Sequence, residues 1–219
     1  MPVRILVTGF GKFPGVRKNP TARLVHALAQ QRSRLARFGI ELERAVLPVR
    51  YAEVGQDIER LDKTLKPDAI LHFGLAARRK WFSVETRALN RLGHLRCDAS
   101  GSRAQAHAII PGAPHAVRAR FPWREIDAAL RGAGLKSRLS INAGQYICNE
   151  ALYFSLARSN ASAIGFIHVP RLRRTNRPKK ASRGWRPARG DLVRAALIAI
   201  LLTARKLRLA GLRHADRIP

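Results

Sequence analysis

The chain has 219 residues, of which 46% are apolar and 6% aromatic. This composition excludes an intrinsically disordered chain and suffices for one hydrophobic core of ordinary size. The charge is unusual, because 42 Lys and Arg residues stand against 14 Asp and Glu residues and the net charge is +28. A field of this sign attracts polyanions whatever the fold, so it predicts non-specific polyanion binding without identifying a function.

Cysteine content and apolar runs indicate the compartment. The chain has two cysteines, Cys97 and Cys148, whereas small secreted domains are usually rich in cysteine. The N-terminal apolar run stops at Gly9, too early for a signal peptide. The longest apolar run, at 195–202, is far shorter than the roughly 20 residues of a membrane helix. We therefore expect a cytoplasmic protein with no membrane partner.

Strand and helix patterns alternate along the chain. The predicted strands cover residues 3–8, 41–49, 69–74, 139–141 and 163–169, and the predicted helices follow Asn19 and cover 52–65, 123–131, 147–158 and about 191–210. Residues 81–110 give no clear pattern. The alternation predicts an α/β fold, a single domain with a central, mostly parallel, twisted sheet flanked by helices on both faces. Sites in such sheets lie at the carboxyl ends of strands, here the turns after Gly9, Gly74 and His168.

Two helices carry clear end signals. Asn19 is a good N-cap residue, and Pro20 suits the first helical position. For the last helix we predict Asp191 as the cap and Gly211 as the stop.

A strongly basic segment lies between the last predicted strand and the last predicted helix. Residues 171–189 contain many Lys and Arg residues, two prolines, one glycine and no acidic residue. Such a stretch buries itself poorly, so we expect a long mobile loop. It directly follows His168 and therefore lies beside the predicted site.

Three residues have side chains suited to acyl transfer. Cys148 lies near the start of a predicted helix, where the helix N-terminus favours a thiolate and lowers the thiol pKa. His168 ends a strand, and Glu85 lies in the stretch without a clear pattern. Together they would supply a nucleophile, its base and a carboxylate that orients the base. Residue types alone leave the alternative open, which is a core cysteine, a structural histidine and a solvated glutamate.

Four stretches around these residues carry local motifs. They are residues 7–15 followed by Asn19-Pro20-Thr21, residues 72–76 followed by 83–85 and 88–90, residues 142–149, and residues 165–170. The turn at 111–114 adds a further match. In this order, from residue 3 to about residue 170, the stretches resemble the pyroglutamyl peptidase I family, also called pyrrolidone-carboxylate peptidase, a family of cysteine peptidases.

The resemblance implies hydrolysis of the bond that follows an N-terminal pyroglutamyl residue. Cys148 is then the nucleophile, His168 the general base and afterwards the acid, and Glu85 the orienting carboxylate. The backbone N–H of Cys148 would help to hold the oxyanion. The resemblance implies no metal and no organic cofactor. Its partners are peptides with N-terminal pyroglutamate and, by analogy, further copies of the chain in a homo-oligomer, a dimer or tetramer.

Substrate binding also follows from the resemblance. Phe10 and Phe13 would line a slot for the lactam ring, and the main chain near Leu75 would supply hydrogen bonds. Because pyroglutamate is small, flat and uncharged, an apolar slot selects it over a charged N-terminal amine.

One loop departs from the family pattern. After the Asn90 position the family usually has Asp-Ala-Arg, whereas this chain has Gly93-His94-Leu95 with Arg96 one place later. The sequence leaves open whether Arg96 replaces the family arginine. Cys97 lies outside the motifs, and we interpret it as structural or incidental.

Two alternative functions stay open. The first is a catalytically impaired homologue, because the loop at 93–97 is altered. The second is a basic nucleic-acid or polyanion-binding protein on the same fold. It rests on the net charge and on the 171–189 segment, in which Trp185 offers a ring for base stacking.

Overall fold

The computed structural model describes residues 2–173 and 185–215. The strands in this part of the chain are β1 (Val3–Phe10), β2 (Ile40–Leu47), β3 (Ala69–Leu75), β4 (Phe82–Glu85), β5 (Arg87–Leu89), β6 (Ala116–Arg118), β7 (Ser137–Ser140) and β8 (Ala163–Val169). The helices are α1 (Pro20–Ala27), α2 (Arg32–Arg37), α3 (Tyr51–Leu65), α4 (Trp123–Gly132), α5 (Ile147–Arg158) and α6 (Arg189–Ala215), with a 3₁₀ turn at Leu28–Gln31.

Six of these strands form the central sheet, in the order β2-β1-β3-β8-β4-β7. The neighbours among β2, β1, β3 and β8 are parallel, β4 is antiparallel to β8, and β7 is parallel to β4. The remaining two strands, β5 and β6, form a small antiparallel pair. The predicted mostly parallel sheet is thus confirmed, with one antiparallel step next to β8.

Helices cover both faces of the sheet, as predicted. Val7, Phe73 and Ile167 point to one face, where α1, α4 and α6 pack. The alternate residues of the same strands, such as Ile70 and Phe166, point to the other face, where α3 and α5 pack. Because both faces are buried, the central strands are apolar at nearly every position, and this is why their sequence pattern is continuous.

The structure confirms one helix cap and corrects another. Asn19 is the N-cap of α1, and its Oδ1 accepts a hydrogen bond from the Thr21 N–H at 3.1 Å. Asp191 lies inside α6, at its third position, and its Oδ2 accepts from the Ala188 N–H at 2.8 Å. Asp191 thus bonds back to the N–H of the residue that precedes the helix, as the third helical residue of a capping box does, and it is not the predicted N-cap itself.

The predicted stop at Gly211 is wrong, because α6 continues through that residue to Ala215. A glycine inside a helix costs about 1 kcal/mol relative to alanine, which does not by itself end a helix. None of the helices within 2–173 and 185–215 is long and apolar enough to cross a membrane.

The middle of the basic 171–189 segment, residues 174–184, lies outside the described residues, and its predicted mobility stays a prediction. The two ends of the segment are joined, since the Arg173 N–H donates to the Pro187 carbonyl at 2.9 Å. The Trp185 ring meets the Phe82 ring edge-on, with 6.0 Å between centroids, and packs against the core. Trp185 therefore contributes to packing at this edge of the sheet.

Candidate active site

The antiparallel step between β4 and β8 brings Glu85 to His168. Ser83 is the direct partner of His168 across the two strands, and Glu85 is the partner of Phe166. All four side chains lie on the sheet face that α5 covers. The His168 Nδ1–H donates to Glu85 Oε1 at 2.8 Å, and Glu85 is fully buried. Two of the three predicted catalytic residues are thus in hydrogen-bond contact.

Cys148, the second residue of α5, lies over the neighbouring strand β3. A Cβ added to Gly74 would come within 3.0 Å of Cys148 Sγ and 2.5 Å of Phe166 Cζ. Gly74 is also the direct partner of His168 across β3 and β8. The sulfur therefore occupies the space that a side chain at position 74 would take, next to the strand position of His168.

Burial controls the protonation of the thiol and the imidazole. Burial raises the pKa of Cys148 to about 12, and the nearby Glu85 carboxylate adds to this rise. Burial also lowers the pKa of His168, although its bond to Glu85 acts in the other direction. Both groups are therefore neutral near pH 7. Burial therefore acts against the predicted lowering of the thiol pKa by the helix N-terminus, because it removes hydration from the thiolate.

Glu85 is ionised although it is buried. Burial alone would raise its pKa, but the hydrogen bond from His168 and the charge of Arg79 bring the pKa below its ordinary value. The carboxylate can therefore hold the Nδ1–H of His168, which leaves Nε2 as the proton acceptor.

Arg79 is a site residue that the sequence analysis missed. Its Nη1 donates to Glu85 Oε1 at 2.6 Å and to Ser140 Oγ at 3.3 Å, and its Nη2 donates to the Asn142 carbonyl at 2.6 Å. The guanidinium thus joins the loop after β3 to β4, to β7 and to the start of the loop that leads to Cys148.

Asn149 fixes the segment that follows Glu85. Its side chain is fully buried. Its Oδ1 accepts from the Leu89 N–H at 3.0 Å, and its Nδ2 donates to the carbonyls of Leu89 and Arg91 at 2.7 and 3.0 Å. The residue after the candidate nucleophile therefore holds β5 against α5.

The three predicted substrate-binding residues lie in different environments. Phe10 is buried, with its ring centroid 6.0 Å from that of Phe166. Phe13 is half-buried, with its ring 6.4 Å from Tyr146, and Leu75 is half-buried at the end of β3. A hollow of about 250 Å³ adjoins Phe13. It is lined by Lys12, Phe13, Pro14, Gly15, Val16, Arg17 and Ala99.

The altered loop at 93–97 lies against Tyr146, two residues before Cys148. The guanidinium carbon of Arg96 is 6.0 Å from the centre of the Tyr146 ring. The Tyr146 hydroxyl donates to the Cys97 carbonyl at 2.9 Å. Arg96 is near enough for its charge to oppose the rise in the pKa of Cys148. Cys97 is a free thiol.

Within residues 2–173 and 185–215, no group of three or more His, Cys, Asp and Glu side chains is placed to hold a metal ion.

The chain is similar to known proteins in both sequence and fold. The family model of pyroglutamyl peptidase matches residues 3–203. The chain belongs to this family. Among curated members, the chain is similar to the pyrrolidone-carboxylate peptidase of Pyrococcus furiosus, with 34% identity over 177 residues, or 77% of this chain and 81% of that protein. The corresponding protein of Thermococcus kodakarensis is 33% identical over 172 residues, with coverage of 77% and 81%.

Solved structures of the pyroglutamyl peptidase family have the same fold. The crystal structure of pyrrolidone carboxyl peptidase from Thermus thermophilus matches with a TM-score of 0.79 and 36% identity, over 90% of this chain and 99% of that one. A single-residue variant of the enzyme from Pyrococcus furiosus matches with a TM-score of 0.82 and 28% identity, over 94% and 100% of the two chains.

Proposed function

We propose that this chain is a cysteine peptidase that removes N-terminal pyroglutamate from peptides, with Cys148, His168 and Glu85 as its catalytic residues. The family and its homologues indicate pyroglutamyl peptidase activity. One arrangement supports the assignment of these residues. His168 Nδ1 lies 2.8 Å from Glu85 Oε1, and the sulfur of Cys148 lies beside Gly74, which is the strand partner of His168. This arrangement supplies an oriented imidazole next to a thiol.

In the first half of the reaction, Cys148 Sγ attacks the carbonyl carbon of the pyroglutamyl residue, and His168 Nε2 takes the thiol proton. Proton transfer accompanies the attack, because the thiol and the imidazole are both neutral beforehand. Negative charge develops on the carbonyl oxygen, where the N–H of Cys148 in the first turn of α5 is a suitable donor.

The intermediate then collapses. The bond between the pyroglutamyl carbonyl carbon and the next residue's nitrogen breaks, and His168 donates its proton to the leaving amine. A thioester between Cys148 and the pyroglutamyl group remains. Water attacks this thioester while His168 takes a proton from it. The carbon–sulfur bond breaks, the proton returns to the thiolate, and 5-oxoproline leaves.

Substrate selection rests on the absence of a charged amine. We assign the lactam ring to the apolar surroundings of Phe10 and Phe13 and its hydrogen bonds to the main chain near Leu75. The hollow beside Phe13 contains two exposed cations, Lys12 and Arg17, which would repel a free ammonium group. A homo-oligomer and a cytoplasmic location stay predictions.

A fluorogenic pyroglutamyl amide tests the proposal. The unmodified chain should release its fluorophore, and Cys148→Ala should lose at least about 10⁴-fold in kcat/KM, as expected when a nucleophile is removed. Cys97→Ala is the matched control, because it removes the other free thiol, and it should retain activity. A folded Cys148→Ala variant with full activity would falsify the assignment of the nucleophile.

A further inference from the structure

We propose that Arg79 is a positioning residue, which fixes the orienting carboxylate of Glu85 and ties it to the loop that carries Cys148. The proposal rests on the proposed function. It concerns the geometry of the site and not the identity of the substrate.

The first argument is the connectivity of one guanidinium group. Through Nη1 it binds the carboxylate of Glu85 on β4, and through Nη2 it binds the carbonyl of Asn142 at 2.6 Å. Asn142 begins the short loop that leads into α5 and so to Cys148. Arg79 therefore sets the separation between the segment that orients the base and the segment that carries the nucleophile.

The second argument is how Glu85 is held. Arg79 and His168 both donate to Oε1, at 2.6 and 2.8 Å. The other oxygen, Oε2, is buried without a hydrogen-bond partner among the described residues. Without Arg79, the bond to His168 would be the main constraint on the carboxylate, and its plane could rotate more freely about that bond. A misplacement of about 1 Å in a catalytic group can cost about 10²-fold in rate.

The third argument is electrostatic. The charge of Arg79 lowers the pKa of Glu85 and also lowers the pKa of His168. The carboxylate thus stays ionised in a buried site, while the imidazole stays neutral and able to accept the thiol proton. One cation favours the active protonation state of both partners.

The neighbouring cations provide matched controls. Arg78 and Lys80 are exposed, whereas the Arg79 side chain is only 19% exposed and turned toward Glu85. Arg78→Ala removes the same charge one residue away and leaves the three contacts of Arg79 in place.

The kinetic experiment compares Arg79→Ala, Arg79→Lys and Arg78→Ala on the fluorogenic amide. Arg79→Ala should lose about 10²-fold in kcat/KM, and Arg79→Lys should keep part of it, since lysine retains a charge but not the planar fork. Guanidinium ion at millimolar concentration should restore Arg79→Ala at least tenfold, whereas sodium ion should not. Arg78→Ala should stay within about twofold of the unmodified chain.

The pH dependence separates positioning from simple structural damage. Without Arg79 the pKa of His168 rises, so the acid limb of kcat/KM in Arg79→Ala should move to higher pH. Histidine NMR titration should show the same rise for His168, assigned with His168→Asn, and it needs no substrate. An unmoved acid limb together with an unmoved His168 titration and no rescue by guanidinium would overturn the proposal. If the unmodified chain is inactive, the proposed function fails, while the NMR titration still decides the role of Arg79.

Discussion

A buried carboxylate keeps its charge only where cations and donors replace its lost hydration, and α5 contains a carboxylate without them. Glu150 is 8% exposed, and its Oε2 has no partner in the described part of the chain. Burial raises its pKa to about 8, and the charge of Asp98 adds to the rise. Glu85 has His168 and Arg79 as partners and stays ionised, whereas Glu150 is protonated at pH 7.

Glu150→Gln should therefore stabilise the protein increasingly as the pH rises. Between the ordinary pKa near 4.5 and the folded value of about 8, the unfolded chain releases the proton and the folded chain retains it. The stability of the unmodified protein thus falls by up to about 1.4 kcal/mol per pH unit across this window. Glutamine has no proton to release, so its advantage should grow from pH 5 to about pH 8 and then level off.

Urea unfolding at pH 5, 7 and 9 measures this difference. The exposed Glu125 of α4 supplies the control, since Glu125→Gln should change stability by less than about 0.5 kcal/mol at each pH. An effect of Glu150→Gln that is constant over pH would contradict the protonated state of Glu150.

Single residues were predictable where a motif surrounded them. Cys148, His168 and Glu85 each lie in a stretch that resembles a motif of the pyroglutamyl peptidase family, and the structure brings Glu85 and His168 into contact. The sequence does not single out Arg79, because it is the middle one of three consecutive cations and the turn of the loop decides which of them faces inward. The raised pKa of Cys148 was likewise unpredictable, since burial of a thiol depends on packing across β3 and α5.

Among elements, the contact between α5 and β5 links the nucleophile to the end of the glutamate segment. Asn149→Ala should lower the free energy of unfolding by about 2–4 kcal/mol, because it leaves the N–H and carbonyl of Leu89 and the carbonyl of Arg91 without partners. We also expect kcat/KM to fall, since the segment after Glu85 loses its anchor.

Urea unfolding and the fluorogenic assay together measure both effects. Asn160→Ala changes an exposed asparagine just after α5 and should alter stability by less than about 0.5 kcal/mol. Equal small effects of the two substitutions would show that the Asn149 bonds contribute little.

The predictability of elements followed their length and burial. Strands of seven or eight residues with both faces covered, such as β1 and β8, have continuous apolar sequences and were predicted. The strands β4, β5 and β6 have three or four residues each, too few for an alternating pattern to stand out. They form because their neighbours pair with them, and pairing is not visible in a local window. The glutamate strand was missed for this reason although Glu85 itself was identified.

At the scale of the whole molecule, the net charge of +28 attracts any polyanion. Lys and Arg residues are distributed along the whole sequence, and several described ones form exposed ion pairs with acidic residues, such as Lys63 with Glu59 and Arg60 with Asp57. Such a distribution contacts phosphates without reading a sequence.

Duplex DNA should therefore bind weakly and without sequence preference. Two unrelated duplexes should bind within about twofold of each other. Both affinities should fall by at least about tenfold between 50 and 200 mM salt, because binding releases counterions. Fluorescence anisotropy measures this. Binding that is sequence-selective and persists at 200 mM salt would favour nucleic-acid binding as a function.

The position of α6 after the strands of the central sheet has a consequence for synthesis on the ribosome. Its small apolar side chains, such as Ala195 and Ala199, are fully buried, and α6 packs against β1, β3 and β8. Domains form from the N-terminus as translation proceeds, so the part of the sheet face that α6 covers stays exposed until this helix has been made. We expect the nascent chain to bind chaperones during that interval, and chains truncated before this helix to aggregate through the exposed apolar surface.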